Sequence, residues 1–256
     1  MGTTTNNHRT VAILTIVIFG MFLVPIGLFQ ISKSRTFQFF GGLTSRVETT
    51  QKVVALTFDD APSARAQEVL DILERQNIKA TFYEIGQAIE QYPGDAKAIA
   101  AAGMEVGNHS YSHQRFLLKS LPFVDAEIQK TNTLIRESGY QGEITFRPPN
   151  GKKLFTLPWY LRQHQLQTIM WDVEPDTYVA GDKDAIVQYT LDHVQPGSII
   201  LLHPFCETDC AADREALPFI IDGLKARGYT FVTISELRKM NPASDINSVD
   251  GRKGGT

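Results

Sequence analysis

The chain has 256 residues and carries 25 Lys and Arg against 28 Asp and Glu, a formal net charge of −3. That length holds one large domain with a well-buried core. The charges are mixed along the chain and form no basic stripe, so nucleic acid is not expected as a partner and a neutral or weakly charged substrate fits better.

After an N-terminal tail, residues 1–10, the run Val11 to Phe29 is apolar and free of charge. It is close to the ~20 residues that cross a hydrocarbon core. The reading is an N-terminal transmembrane helix over residues 11–31, acting as an uncleaved signal anchor. A cleaved signal peptide has an apolar region of about 7–15 residues before a small-x-small site, and Gln30 to Arg35 offers no such site. Arg9 precedes the segment and Lys33 and Arg35 follow it, so basic-residue counting alone leaves the rest of the chain in the cytoplasm. Residues 32–50, polar with Gly41-Gly42, read as a stalk, residues 51–240 as the folded domain, and 241–256 as a flexible tail.

Within the domain, strand-length apolar runs at 53–58, 80–85, 104–108, 143–146, 167–172, 198–203 and 229–234 alternate with helical patterns at 65–76, 95–102, 123–137, 154–163, 183–194 and 214–227. Such alternation gives an α/β fold with a parallel sheet or barrel. Gly103, Gly139 and Gly228 stand where helices should stop. Cys206 and Cys210 are the two cysteines. They can pair across their short loop in an oxidising compartment or remain free thiols, and no further soft ligand stands near enough to complete a zinc site with them.

The chemistry-bearing residues fall at the ends of these strands. Val53 to Phe58 runs into Asp59-Asp60, adjacent carboxylates that are costly to desolvate together unless a cation separates their roles. His109 and His113, four residues apart, can face one ion from a helical turn or tight loop, and imidazole with carboxylate suits zinc or a similar first-row metal. Trp171, Asp172 and His203 also end strands, and in (β/α) barrels that rim is where catalytic groups collect.

Thr57-Phe58-Asp59-Asp60, His109-Ser110-x-x-His113, Arg147-Pro148-Pro149-Asn150-Gly151, Trp171-Asp172-Val173-Glu174-Pro175 and Leu201-Leu202-His203 resemble, in order and spacing, the motifs of the polysaccharide deacetylases, carbohydrate esterase family 4, over residues 50 to 235. The resemblance implies a distorted (β/α) barrel and metal-dependent removal of N-acetyl groups from a glycan such as peptidoglycan, a chitin-like oligomer or poly-N-acetylglucosamine. It implies that Asp60, His109 and His113 ligate zinc, or another divalent ion such as cobalt, nickel or manganese. Asp59 is then the general base that takes a proton from the attacking water, and His203 the general acid that protonates the leaving amine. Arg147 orients Asp59 and keeps it ionised, and the backbone N–H of Asn150 helps bind the oxyanion.

Relatives commonly carry an aromatic residue where this chain has Asn150, and they often end the fourth motif in Asp-Trp, which is absent here. Glu174 or Asp176 can be the acid that tunes His203 or pairs with Arg147. Tyr178, with Pro149 and Leu201, is expected to line the substrate pocket. Trp171 is equally suited to core or sugar contact, and His164 and His193 read as helix-surface residues. Rival readings are an O-acetyl esterase using the same site and a catalytically silent glycan-binding protein. Because bacterial glycan polymers lie outside the cytoplasmic membrane, the expected location is that membrane, with the domain on its outer side and the N-terminal helix within it.

Overall fold

The computed structural model describes residues 21, 23–179, 181–206 and 210–240. The predicted tails at 1–10 and 241–256 and most of the predicted span 11–31 lie outside these residues. Residues 23–32 are helical, and among the described residues no helix is long and apolar enough to cross a membrane.

The strands are β1 (Leu43–Thr44), β2 (Val53–Ala61), β3 (Thr81–Glu84), β4 (Glu105–Asn108), β5 (Thr168–Ile169), β6 (Ile199–Leu202) and β7 (Thr230–Val232). The helices are α1 (Ala66–Arg75), α2 (Gly86–Gln91), α3 (Pro93–Ala101), α4 (Leu121–Glu137), α5 (Thr156–Gln163), α6 (Pro175–Tyr178), α7 (Lys183–His193), α8 (Ala211–Ala226) and α9 (Ile234–Lys239). Strand β2 is central. It pairs in parallel with β6 on one side, and on the other with β3 near its C-terminal end and β7 near its start.

Beyond the β3–β4 pair, single parallel bridges continue the wall from Asn108 to Phe146 and from Phe146 to Thr168, and Val173 bridges to Ile200 of β6. The wall therefore returns on itself as a distorted parallel (β/α) barrel. The predicted strand at 143–146 survives only as the Phe146 bridges, because Pro148 and Pro149 follow at once and supply no N–H to extend a ladder.

Strand β2 is apolar on both faces because both are covered. Val54, Leu56 and Phe58 pack outward beneath the helices, whereas Val53 and Ala55 join Tyr83, Ile169, Trp171 and Leu201 inside the barrel. Helices α2 and α6 are too short to print a period in the sequence. Helix α9 begins at a capping box between Thr233 and Glu236. Residues 32–50, read above as a stalk, run along the barrel: β1 pairs with β5, Val47 is buried and donates its N–H to Gly197 O, and Ser32 O accepts from Lys153 N.

Candidate active site

In a regular strand adjacent side chains point to opposite faces, yet Asp59 and Asp60 both serve the same mouth. The β2–β3 register shifts between Phe58 and Ala61, and Asp60 takes φ 63°. This local bulge re-aims the second carboxylate. Ser110, His113 and Asn150 also have positive φ, so much of the strained backbone of the described chain gathers round one site.

The histidines sit on a tight loop after β4. Asn108 accepts from Ser110 N through its Oδ1 and donates to Ile128 O and Asn132 Oδ1, tying the loop to α4. The buried Glu127 carboxylate accepts from the N–H groups of Tyr111 and Ser112 and from the Ser112 hydroxyl. Nothing in the sequence singles out Asn108 or Glu127 for this duty. The outcome is that Asp60 Oδ1 lies 3.2 Å from His113 Nε2 and 3.7 Å from His109 Nε2. The three candidate ligand atoms all lie within 4.8 Å of one another.

The residues fit a divalent ion. Asp60 Oδ1 is shielded and has no hydrogen-bond donor. His109 directs Nδ1 at Arg147 O, 2.8 Å away, which assigns its proton there and leaves Nε2 free to ligate. Burial lowers the pKa of both histidines, keeping them neutral as ligands require. Two imidazoles and a carboxylate with open positions form a first-row metal donor set. Burial raises the pKa of the Asp60 carboxyl, a penalty on the charged form that a bound cation would offset.

Asp59, 3% exposed, directs Oδ2 to within 3.5 Å of His109 Nε2 while Oδ1 receives Arg147 Nη1 at 2.7 Å. Burial works to raise its pKa, but the Arg147 guanidinium reverses the shift and holds it below the ordinary aspartate value. Arg147 is fully buried, donates also to Thr57 Oγ1 and Met170 O, and lies 4.0 Å over the Tyr83 ring. A Cβ at position 107 would collide with that ring, so Gly107 makes room for this stack.

His203 follows β6. Its Nδ1 lies 2.7 Å from Asp176 Oδ2, which also accepts the His203 N–H at 2.9 Å. Burial disfavours the imidazolium, yet Asp176 more than compensates and raises the pKa to about 9. Of the two acids left open by the sequence, Asp176 therefore reaches His203. Glu174 reaches neither His203 nor Arg147: it pairs with Arg35, whose guanidinium lies 4.8 Å over Trp171. Asp213, buried at the start of α8, hydrogen-bonds Asp176, and burial and that neighbour push its pKa up to about 7.

Pro149 and Asn150 form a short turn at the rim, and Asn150 Oδ1 accepts from Arg115 Nε at 2.7 Å. Asn150 has φ 52° and ψ 21°, a left-handed conformation that asparagine tolerates better than an aromatic residue. Leu201 is fully buried inside the barrel near Trp171. Tyr178 stays exposed and stacks on Tyr189. His164 and His193 bond backbone carbonyls of their own helices, Tyr160 O and Tyr189 O, as surface residues do. Cys206 and Cys210 form a disulfide.

Residues 46–169 match the family model described as Polysaccharide deacetylase. The chain is 34% identical over 196 residues to the peptidoglycan-N-acetylmuramic acid deacetylase PdaC of Bacillus subtilis, covering 76% of this chain and 40% of that protein. It is 30% identical over 204 residues to a peptidoglycan-N-acetylglucosamine deacetylase of Bacillus cereus, covering 77% and 93%. Among solved structures, a CE4 family pseudoenzyme from Bacillus anthracis superimposes with a TM-score of 0.70 at 31% identity, covering 77% of this chain and 69% of that one. The chain belongs to the polysaccharide deacetylases of carbohydrate esterase family 4. It spans about two fifths of the length of the PdaC protein that it matches.

Proposed function

We propose that the protein is a metal-dependent deacetylase that hydrolyses N-acetyl groups of a glycan, releasing acetate and leaving a free amine. The observation that carries this reading is the position of Asp59. One of its oxygens is locked by Arg147 and the other faces the Asp60, His109 and His113 cluster.

Asp60, His109 and His113 would hold a zinc or related divalent ion, which would supply Lewis acidity at the carbonyl oxygen and make water there easier to deprotonate. Asp59, kept ionised by Arg147, accepts the proton of the attacking water. The backbone N–H of Asn150 donates to the oxygen on which negative charge develops. His203, protonated at neutral pH because Asp176 accepts from its Nδ1, gives the Nε2 proton to the departing nitrogen. An amide nitrogen must be protonated to leave, whereas an ester oxygen needs less help, so a His203 that is protonated at neutral pH favours amide over O-acetyl hydrolysis. A silent glycan-binding role would be expected with loss of the base, a ligand or the acid, and this chain retains Asp59, the three ligands and His203.

We further propose that the N-terminal segment anchors the protein in the bacterial cytoplasmic membrane with the domain on the outer side, where N-acetylated polymers lie. Supporting this, the helix at 23–32 exposes apolar side chains and continues the uncharged run from Val11. The test is acetate release by the full chain from N-acetylglucosamine oligomers, peptidoglycan and acetylxylan, with and without zinc, beside Asp59→Asn. Zinc-dependent release from an N-acetylated glycan, abolished in the variant, is expected. Release from acetylxylan alone would replace the reading with O-acetyl esterase action.

A further inference from the structure

The helix at 23–32 is apolar without being amphipathic. Leu23, Val24, Ile26 and Phe29 are about half exposed, and Pro25 and Gly27 between them are exposed as well. A helix apolar all round is matched to hydrocarbon rather than to water. Its exit is nonetheless fastened to the barrel. Ser32 is buried, Ser34 O accepts from Lys153 Nζ at 2.5 Å, and Arg35 is ion-paired with Glu174 while lying over Trp171. The direction of the helix is thus fixed relative to the active-site rim.

Where the apolar surface ends, cations collect. Lys33 and Lys152 both reach over the Phe29 ring, at 5.5 and 4.8 Å. Arg115 stands close enough that its charge, with that of Lys33, bears on Lys152. Among the described residues none of these three is paired with a carboxylate. This occurs in a chain whose acids outnumber its bases. Exposed aromatics lie nearby. Phe155 packs on Phe39, which meets Phe37, and Trp159 stands one helical turn beyond Phe155.

An apolar helix bordered by unpaired cations and exposed aromatics reproduces the order of a bilayer: hydrocarbon, then anionic headgroups. We propose that the barrel rim beside the active site docks on an anionic lipid surface through Lys33, Arg115 and Lys152. This rests on the anchor reading and adds an orientation to it. Arg115 also bonds Asn150, so the docked rim holds the oxyanion side of the site beside the headgroup layer, suited to glycan presented at the membrane.

The test reconstitutes the full chain into vesicles of phosphatidylcholine alone and of equal parts phosphatidylcholine and phosphatidylglycerol. Association is read by flotation, and lysine accessibility by amine acetylation with mass spectrometry. Lys33 and Lys152 should be labelled severalfold less in the anionic vesicles, with recovery at high salt, while Lys97 and Lys225 are labelled equally in both. Arg115→Gln should reduce the protection of Lys33 and Lys152. Flotation with equal labelling in the two lipids overturns the docking and leaves the anchor standing. Protection produced by inorganic phosphate in phosphatidylcholine vesicles replaces the docking with a small-anion site. Failure to float removes the anchor, and the docking with it.

Discussion

Asp176 Oδ2 holds His203 twice, through its backbone N–H and through Nδ1. The second contact raises the imidazole pKa to about 9 against the opposing effect of burial. A folded pKa above the unfolded value stabilises the fold fully below about 6.5, and this stabilisation is lost as pH rises through about 9. In the proposed reaction the same proton serves as the acid. Asp176→Asn should therefore move the alkaline limb of the rate profile toward neutrality and lower kcat by about 10²–10⁴. A pH–rate series and the His203 ring-proton titration test this. An alkaline limb unmoved in the variant would detach Asp176 from the acid.

Arg147 and Asp59 form a buried ion pair with a further donor bond from Arg147 to Thr57. Removing one member leaves the other charged and buried, which costs about 3–5 kcal/mol. Arg147→Ala should lose that stability in urea denaturation and lose deacetylation as well. Arg147→Lys should retain more stability than the alanine variant but recover little activity, because an ammonium cannot reproduce the planar fork aimed at Asp59, Thr57 and Met170. Full activity in the lysine variant would mean that direction does not matter there.

The sequence discloses what is periodic or adjacent and conceals what is brought together from a distance. Strand β2 is legible because an apolar run buried on both faces has nowhere else to go, and Asp59-Asp60 mark its end. The ring of strand-end residues is legible for the same reason. Helices α2 and α6 contain too few residues to print a period, although the Thr233-x-x-Glu236 box before α9 was a readable start signal. The pairing of Glu174 with Arg35 crosses 139 positions, so Glu174 and Asp176 look equivalent until the fold separates them. Asp213 is hidden for a like reason, since only the folded chain brings its carboxyl against Asp176 and the His203 backbone.

Asp60, His109 and His113 together predict a stoichiometric ion. Chelation should abolish acetate release, and zinc or cobalt should restore it. His109→Ala and His113→Ala should each lose bound metal on elemental analysis, whereas Asp59→Asn should retain it while losing activity. Saturating metal at about a hundred times its Kd should add about 2.7 kcal/mol to stability. A wild-type protein that melts identically with and without added zinc after chelation would count against the site.

Glu84 ends β3 fully buried, and neither carboxyl oxygen has a hydrogen-bond partner. Burial alone pushes its pKa up to about 8, from 4.5. Between those values the unfolded chain releases the proton and the native chain keeps it, so the native state binds more protons and stability falls as pH rises across the window. The loss by neutral pH is on the order of a few kcal/mol. Glu84→Gln has no proton to release and should flatten the dependence of Tm on pH between about 5 and 8. Glu84→Leu should go further and raise stability at neutral pH, because it also removes the unpaired polar atoms from the interior. Thermal melts of the three proteins across that range decide the matter: parallel profiles for wild type and Glu84→Gln would mean that Glu84 finds a partner or ionises through local opening.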